Sequence, residues 1–417
     1  MKIGVFGDTH VGRRIPRTIA ELRRKAYRSA FTKAIDALIE ERVEYVIHAG
    51  DLFERRSMTP GDAVFVKEEF QRMIDELGDT SIILVRGNHD GTLENNVLDY
   101  VRHPLARYLK VLGDKTLLGE EEAYSDGTLT AVGLGYHPYI RAKFESSREA
   151  LEKSLNDGGF KILILHNFVE GYHSIPPGTP EHSKLSLRTL SQLPADLIVA
   201  GHYHENLPLT RTVGSHIVTP GGTEAIDLSD QGPFGIHIVE VEEGIEDRFV
   251  EIEPLHRIRN IQIDSRGAVN PLSWYRQRFH QEAAEYASEL AGESAEGILR
   301  VVLKGKTDED PIDLTLMIDG DVEDLRASQS QIIHIEIVNR VEEARERFHP
   351  PAEESPRRYL EEVFQPLGPF IGEALHLSEE VQTALETGAS PQTNLLTPSD
   401  RKVFVDRWME ILERVGG

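Results

Sequence analysis

Cysteine is absent from this chain, which excludes disulfide frameworks and thiolate zinc or iron–sulfur sites. Any metal must be bound through histidine, carboxylate, amide or water. Long hydrophobic runs are also missing. No stretch approaches the roughly 20 apolar residues that would cross a bilayer, so no membrane span is expected. Base is in short supply, with 46 Lys and Arg against 70 Asp and Glu and a net charge of -24. A surface that is basic all over is thereby excluded. A polyanion would have to bind at local patches or through metal ions. The first apolar run begins at Ile3 and leaves no room for a signal peptide, which predicts a cytoplasmic protein.

What is present is 417 residues of ordinary globular composition, 39% hydrophobic with 34 glycines, enough for two or three domains. The organising stretch is Ala49-Gly50-Asp51-Leu52-Phe53, which follows the apolar run Val43 to Ile47. A carboxylate at a strand's C-terminal end, in a turn opened by glycine, faces the crevice where open α/β sheets place their chemistry. Four other apolar runs end the same way. Lys2 to Phe6 leads to Asp8 and His10, and Ser81 to Val85 leads to Asn88, His89 and Asp90. Phe160 to Leu165 leads to His166 and Asn167, and Asp196 to Ala200 leads to His202 and His204.

A single such loop is usually structural, and His48, within a strand, is read that way. Five together point to two divalent ions held by imidazoles, carboxylates and one amide oxygen, with Asp51 shared. Such a pair clamps a phosphoryl group and activates a water for in-line attack. His89 is the candidate to protonate the leaving oxygen, with Asp90 next to it to fix the ring.

The segment Val11 to Arg28 carries Arg13, Arg14, Arg17, Arg23, Arg24, Lys25 and Arg28 against one acid, Glu21. In so acidic a chain it reads as a phosphate-backbone contact surface, with Arg13, Arg14 and Arg17 nearest the ligands. Tyr27, Phe31, Ala34, Ile35, Leu38 and Ile39 have helical spacing and complete a βαβ unit. Two more helical stripes are predicted, Val66, Phe70, Met73, Ile74, Leu77 and then Leu93, Val97, Val101, Leu105, Leu109, Leu112. Both are core-facing by default; a dimer seam is the alternative.

The organisation predicted is residues 1–258, then an α+β unit over 259–340, then a linker and helical segment over 341–417. The α+β unit has a helix from about Pro271 to Leu290 and strands at Ile298 to Leu303 and Ile332 to Val338. His349-Pro350-Pro351 and Ser355-Pro356 mark the linker. The last helix starts near Pro398 and presents Phe404, Trp408, Ile411 and Leu412. That face packs on its own domain or docks on another protein.

Gly7-Asp8-Thr9-His10, Gly50-Asp51, Gly87-Asn88-His89-Asp90, His166 and Gly201-His202-Tyr203-His204 resemble the five motifs of calcineurin-like metallophosphoesterases. Within that superfamily, Gly50-Asp51-Leu52-Phe53 and Pro220-Gly221-Gly222-Thr223-Glu224 resemble the nuclease subunits of the MRN and SbcCD double-strand-break-repair complexes, the archaeal ones above all. The resemblance implies an α/β fold, a β-sandwich flanked by helices, with a small α+β capping domain that contacts DNA and a helical C-terminal tail. It implies two manganese ions, one on Asp8, His10, Asp51 and His204, the other on Asp51, Asn88, His166 and His202. It further implies single-strand endonuclease and 3′–5′ exonuclease action on DNA ends, single strands and hairpins. A homodimer and an SMC-like ABC ATPase, docked through the C-terminal helix, complete the expectation. Many relatives have His where this chain has Glu54, which weakens the case for exonuclease action. Gln usually stands where Asn167 is. The capping unit is acidic at Asp308-Glu309-Asp310 and from Asp319 to Asp324, so few DNA contacts are expected there. Competing readings are a protein phosphatase, favoured by Arg55 four residues after Asp51, and a small-molecule or cyclic-nucleotide phosphodiesterase. A catalytically dead scaffold would be expected to have lost a ligand.

Overall fold

The computed structural model describes residues 1–92, 95–113, 123–344, 364–388 and 398–415. Residues 1–342 and 343–417 form separate compact units. Among the described residues, no helix is long and apolar enough to cross a membrane.

Alternating hydrophobic strands and helices in the first 250 residues build two six-stranded sheets. In one, β1 (Lys2–Phe6), β2 (Tyr45–His48), β3 (Ser81–Val85) and β4 (Leu109–Leu112) run parallel. The hairpin β13 (Gly235–Val241) and β14 (Ile245–Glu251) joins β1 antiparallel. In the other, β6 (Leu129–Leu134), β7 (Phe160–Leu165), β10 (Leu197–Ala200) and β12 (His216–Thr219) are parallel, edged by β5 (Ala123–Ser125) and β11 (Leu207–Arg211). Parallel strands buried on both faces need apolar residues at nearly every position, which these runs supply. Ile3, Val5, Ile47, Ile83 and Val85 from the first sheet meet Ile162, Ile164, Leu197 and Val199 from the second. Outside, α1 (Ala20–Glu40) and α2 (Pro60–Leu77) cover the first sheet, and α4 (Ile140–Leu155) covers the second, with the short pair β8 (Phe168–Glu170) and β9 (Lys184–Ser186) and the single turn α5 (Leu187–Leu190) following β7. The stacking is helix, sheet, sheet, helix. Because the parallel strands of each sheet point one way, the five ligand-bearing loops leave from strand C-terminal ends.

The stripe on α2 is core. Val66, Phe70, Met73 and Ile74 are buried against α1 and the sheet. The second stripe is not one helix. Among its described residues only Asp99–Arg102 (α3) is helical, and Leu109–Leu112 is β4. Pro104 has no N–H to continue the helical ladder beyond His103, and the remaining apolar spacing serves a strand as well as a helix. Val97, Val101, Leu105 and Leu109 are all buried, so neither stripe is free to form a seam with a second copy; Leu93 lies outside the described residues.

Residues 257–343 make a three-stranded sheet, β15 (Arg257–Val269), β16 (Gly297–Thr307) and β17 (Ile332–Glu343), covered by α6 (Leu272–Glu293) and α7 (Pro311–Ser328). Helix α7 is missing from the sequence reading, although Pro311 at its first turn and the Asp310 cap are start signals. The acidic run Asp319 to Asp324 lies on it.

In the second unit, Ile371–Gly388 and Pro398–Val415 are helical. Ile411 is buried, and Trp408 packs its ring 5.3 Å from Phe364. Phe404 and Trp408 are only partly exposed, whereas Val403, Val405, Met409 and Leu412 are about half exposed. Three of the four residues predicted to face a partner therefore pack at least in part within their own unit. The prolines of the predicted linker lie outside the described residues.

Candidate metal centre

The loops after β1 and β2 are tied together before any side chain is considered. Asp8 N–H donates to Gly50 O at 3.0 Å, His10 N–H to Asp51 O at 2.9 Å and Val11 N–H to Leu52 O at 3.0 Å. His48 adds a side-chain tie. Burial pushes its pKa down to about 3, so it is neutral; Gly50 N–H donates to its Nδ1, and its Nε2–H donates to Thr9 Oγ1. The Thr9 hydroxyl donates in turn to Leu52 O.

Within this frame Asp8, His10, Asp51 and His202 adopt positive φ, between 41° and 76°. Such backbone is costly for residues with a Cβ and concentrates where geometry serves a site. Gly50 has φ 97°, and a Cβ there would come 2.4 Å from His166 Nδ1. A Cβ on Gly87 would come 2.0 Å from Asp51 Oδ1. Glycine at both positions lets the backbone pass the ligands.

The side chains then converge. Ligand atoms of Asp8, His10 and His204 lie within 4.8 Å of one another, and so do those of Asp51, His166 and His202. Asp51 uses Oδ1 to accept the His89 N–H at 2.7 Å. Its Oδ2 lies 3.6 Å from His10 Nε2 and 3.2 Å from His166 Nε2, between the two groups. Asn88 Oδ1 is 3.3 Å from His166 Nε2. His166 donates Nδ1–H to Ala49 O at 2.7 Å, which orients the ring and leaves Nε2 pointing inwards. All seven predicted ligands are thus brought to one place.

The donors fit a cation. Asp8 Oδ1, His10 Nε2, Asp51 Oδ2 and His202 Nδ1 are buried, and none makes a hydrogen bond among the described residues. Buried polar atoms in such number are rare unless something else satisfies them. Electrostatics agree. Burial, with Asp51 beside it, pushes Asp8 up to about 7. Burial alone would lower His166, yet Asp51 and Asp8 hold it up at about 9, and Asp51 is held well below the usual carboxylate range. Burial keeps His10, His202 and His204 neutral, the form that ligates.

His89 is placed beside these donors, but Asp90 does not orient it. The Asp90 carboxylate accepts the backbone N–H of Phe53 and of Gly87, both at 2.9 Å, and so braces two ligand loops. The group on His89 is Glu54, whose Oε1 and Oε2 are 3.0 and 2.9 Å from Nδ1. Against the effect of burial, Glu54 raises the His89 pKa, and His10 and His89 hold Glu54 low. Glu54 also accepts from Arg13 at 2.7 Å. Glu54, which stands where many relatives have His, is turned onto His89, His10 and Arg13. Its position three residues after Asp51 in a one-turn loop was the available signal.

The basic segment is largely consumed internally. Arg13 is engaged by Glu54 and by Ile226 O, Arg14 lies 3.4 Å from Glu21, and Arg23 is buried on Glu224 and Ala225 O. Arg24 and Arg28 both bind Asp62. Arg17 and Lys25 remain exposed. Of the arginines in the predicted phosphate-contact segment, Arg13, Arg23, Arg24 and Arg28 are thus paired with the buried carboxylates Glu54, Glu224 and Asp62 from other parts of the chain, and Arg14 lies by the exposed Glu21 of the same segment.

Further rings pack around the site. Phe168 packs 4.5 Å from His202, Tyr136 lies 5.5 Å from it, and His173 stacks at 4.6 Å on Tyr203. Val169 N–H donates to His173 Nδ1, and His173 Nε2–H donates to Thr219 Oγ1.

Residues 1–206 match the family described as Calcineurin-like phosphoesterase. This stretch, just under half of the chain, is similar to that family. Over 279 residues the chain is 25% identical to an uncharacterized metallophosphoesterase, YhaO, of Bacillus subtilis, covering 66% of this chain and 63% of the relative. Over 246 residues it is 26% identical to a DNA double-strand break repair protein, Mre11, of Methanosarcina mazei, covering 57% and 36%. The chain thus spans less than two thirds of the length of either relative. A dimetal phosphatase from Danio rerio aligns with a TM-score of 0.39 at 14% identity, covering 60% of this chain and 98% of that one, a likeness too slight to argue from. The calcineurin-like assignment agrees with the α/β sandwich and with the motif loops at its strand ends.

Proposed function

We propose that the chain is a manganese-dependent DNA nuclease, cutting single strands internally and degrading ends from 3′ to 5′ in break repair. The observation that carries the phosphoesterase part is Asp51 Oδ2 lying between His10 Nε2 and His166 Nε2. A carboxylate so placed is suited to two ions, one held with Asp8, His10 and His204 and the other with Asn88, His166 and His202. When bound, a cation pair of this kind neutralises a phosphoryl group and supplies an activated water. The chain's own part is to hold the donors. Ala49 O and the His89 and His202 backbone N–H groups fix His166, Asp51 and Asp8. His89, whose pKa Glu54 raises against the effect of burial, is suited to give a proton to the leaving oxygen.

The DNA part is supported by the motif resemblance and by the similarity to Mre11, a DNA double-strand break repair protein. The proposed partners are an SMC-like ABC ATPase and a second copy. Val405, Met409 and Leu412 on the last helix are the exposed apolar residues suited to the ATPase, in place of Phe404, Trp408 and Ile411. Val64 on α2 and Tyr100 on α3, both exposed, are suited to the dimer.

A second reading, a protein phosphatase, is favoured by one observation. Arg55 is exposed and donates its backbone N–H to His89 O at 3.1 Å, next to the candidate centre. The test is a manganese-loaded assay offering single-stranded DNA, duplex ends, phosphopeptide and a generic phosphodiester. Cleavage of DNA supports the nuclease. Turnover of phosphopeptide with DNA untouched reverses the ranking.

A further inference from the structure

Beside the His166 and His202 side of the centre, the loop after β6 carries an aromatic feature that the chemistry above does not use. Its first ring, Tyr136, lies 6.4 Å from His166 and 5.5 Å from His202. Three residues on, Tyr139 is 58% exposed and stacks on His182, with centroids 4.7 Å apart and planes 24° apart. One face of the phenol is covered by the imidazole, while the residue as a whole stays exposed.

This stack is built. Asn167, buried and next in sequence to His166, donates its amide N–H groups to His137 O at 3.2 Å and Ser183 O at 3.3 Å. Its Oδ1 accepts His137 N–H. One side chain at the metal centre therefore sets the relative position of both loops that supply the rings. Tyr139 N–H donates to His137 Nδ1, which turns the loop tip. On the other side, Glu181 is held by Lys184 at 2.7 Å and Arg141 at 3.2 Å.

We propose that Tyr139, backed by His182, is a nucleobase platform that stacks an unpaired base of a single strand whose phosphodiester lies at the centre. The proposal rests on the nuclease reading and names the substrate form. Aromatic stacking accepts any base, because every base has a π-face, and an unpaired base presents that face where a duplex hides it. The chain also needs such a contact. With most of its basic segment spent on internal carboxylates and a net charge of -24, backbone electrostatics offer little affinity.

The test uses the full chain with manganese and an unstructured oligonucleotide carrying 2-aminopurine, together with an abasic version of the same length. Binding by the native chain quenches the 2-aminopurine. Tyr139→Ala abolishes the quench and weakens binding about tenfold, while Tyr139→Phe keeps both, as expected for stacking. The abasic strand binds the native chain and Tyr139→Ala equally, because ring and base act as one pair. If the native chain cuts DNA but Tyr139→Ala binds the base-bearing strand as tightly, the platform is wrong and the nuclease reading survives. If the native chain neither binds nor cuts any DNA, the nuclease reading fails and the platform with it.

Discussion

Glu54 holds the His89 ring by Nδ1, with both carboxylate oxygens within 3.0 Å. The pair keeps Nε2 as the free proton carrier and favours the imidazolium. Glu54→Gln should preserve ring contact but lose the charge, lowering kcat roughly 10- to 100-fold with metal content unchanged. His89→Asn should cost more, about a thousandfold. The double variant should be no slower than His89→Asn alone, because the residues act as a unit. Steady-state kinetics at saturating manganese decide it; losses that multiply would mean Glu54 acts elsewhere.

The orphaned donors of Asp8, His10, Asp51 and His202 predict that cation binding stabilises the fold. Manganese at a hundredfold excess over Kd should contribute about 2.7 kcal/mol and raise Tm by several degrees over chelator-treated protein. His204→Ala should reduce both the shift and the bound metal measured by elemental analysis. His89→Asn should retain them. Equal Tm values with and without metal would contradict this account.

Asp90 is a brace between Phe53 and Gly87. In Asp90→Asn, one of two buried N–H groups meets an amide NH2 in place of an acceptor, which should destabilise the protein by about 1–3 kcal/mol. The loss should be visible in denaturant midpoints with metal absent. A variant of native stability but dead activity would instead make Asp90 catalytic.

Asp62 is buried, accepts from Arg24 and Arg28 and completes the capping box of α2 with Thr59. Although burial opposes it, the Thr59 N–H and the two guanidiniums hold its carboxyl below 3.8. A depressed carboxylate stabilises the fold above its unfolded pKa and loses that contribution as pH falls through the folded value. Asp62→Ala should therefore cost about 2 kcal/mol at pH 7. The gap to the native chain should narrow as pH falls below about 4. A gap independent of pH would assign the effect to packing.

The strand ends could be read from the chain alone because period and position suffice for them. An apolar run followed directly by Gly-Asp, Gly-Asn-His or Gly-His-x-His puts ligand-type residues at the C-terminal edge of a buried strand, wherever that strand pairs. Parallel pairing then brings Asp8, Asp51 and Asn88 to one edge, and His166 and His202 to the facing one. Apolar spacing between Val97 and Leu112 was less informative, since a helix and a turn-plus-strand bury the same residues. Start signals at Asp310 and Pro311 were there to be read, but the acidic residues around them obscured α7.

Partner choice among polar side chains was decided only in three dimensions. Nothing local distinguishes an arginine that meets solvent from Arg23, whose carboxylate partner lies about two hundred positions along the chain, at Glu224. Likewise Glu54 and Asp90 are both acids near His89 in the folded loops, and adjacency in the chain favours Asp90. The Asp90 carboxylate instead accepts two backbone N–H groups, and Glu54 takes the His89 ring. Sequence determined which residue types gather at the strand tips; the tertiary structure decided which of them touch, because a hydrogen bond depends on direction and a motif records only order.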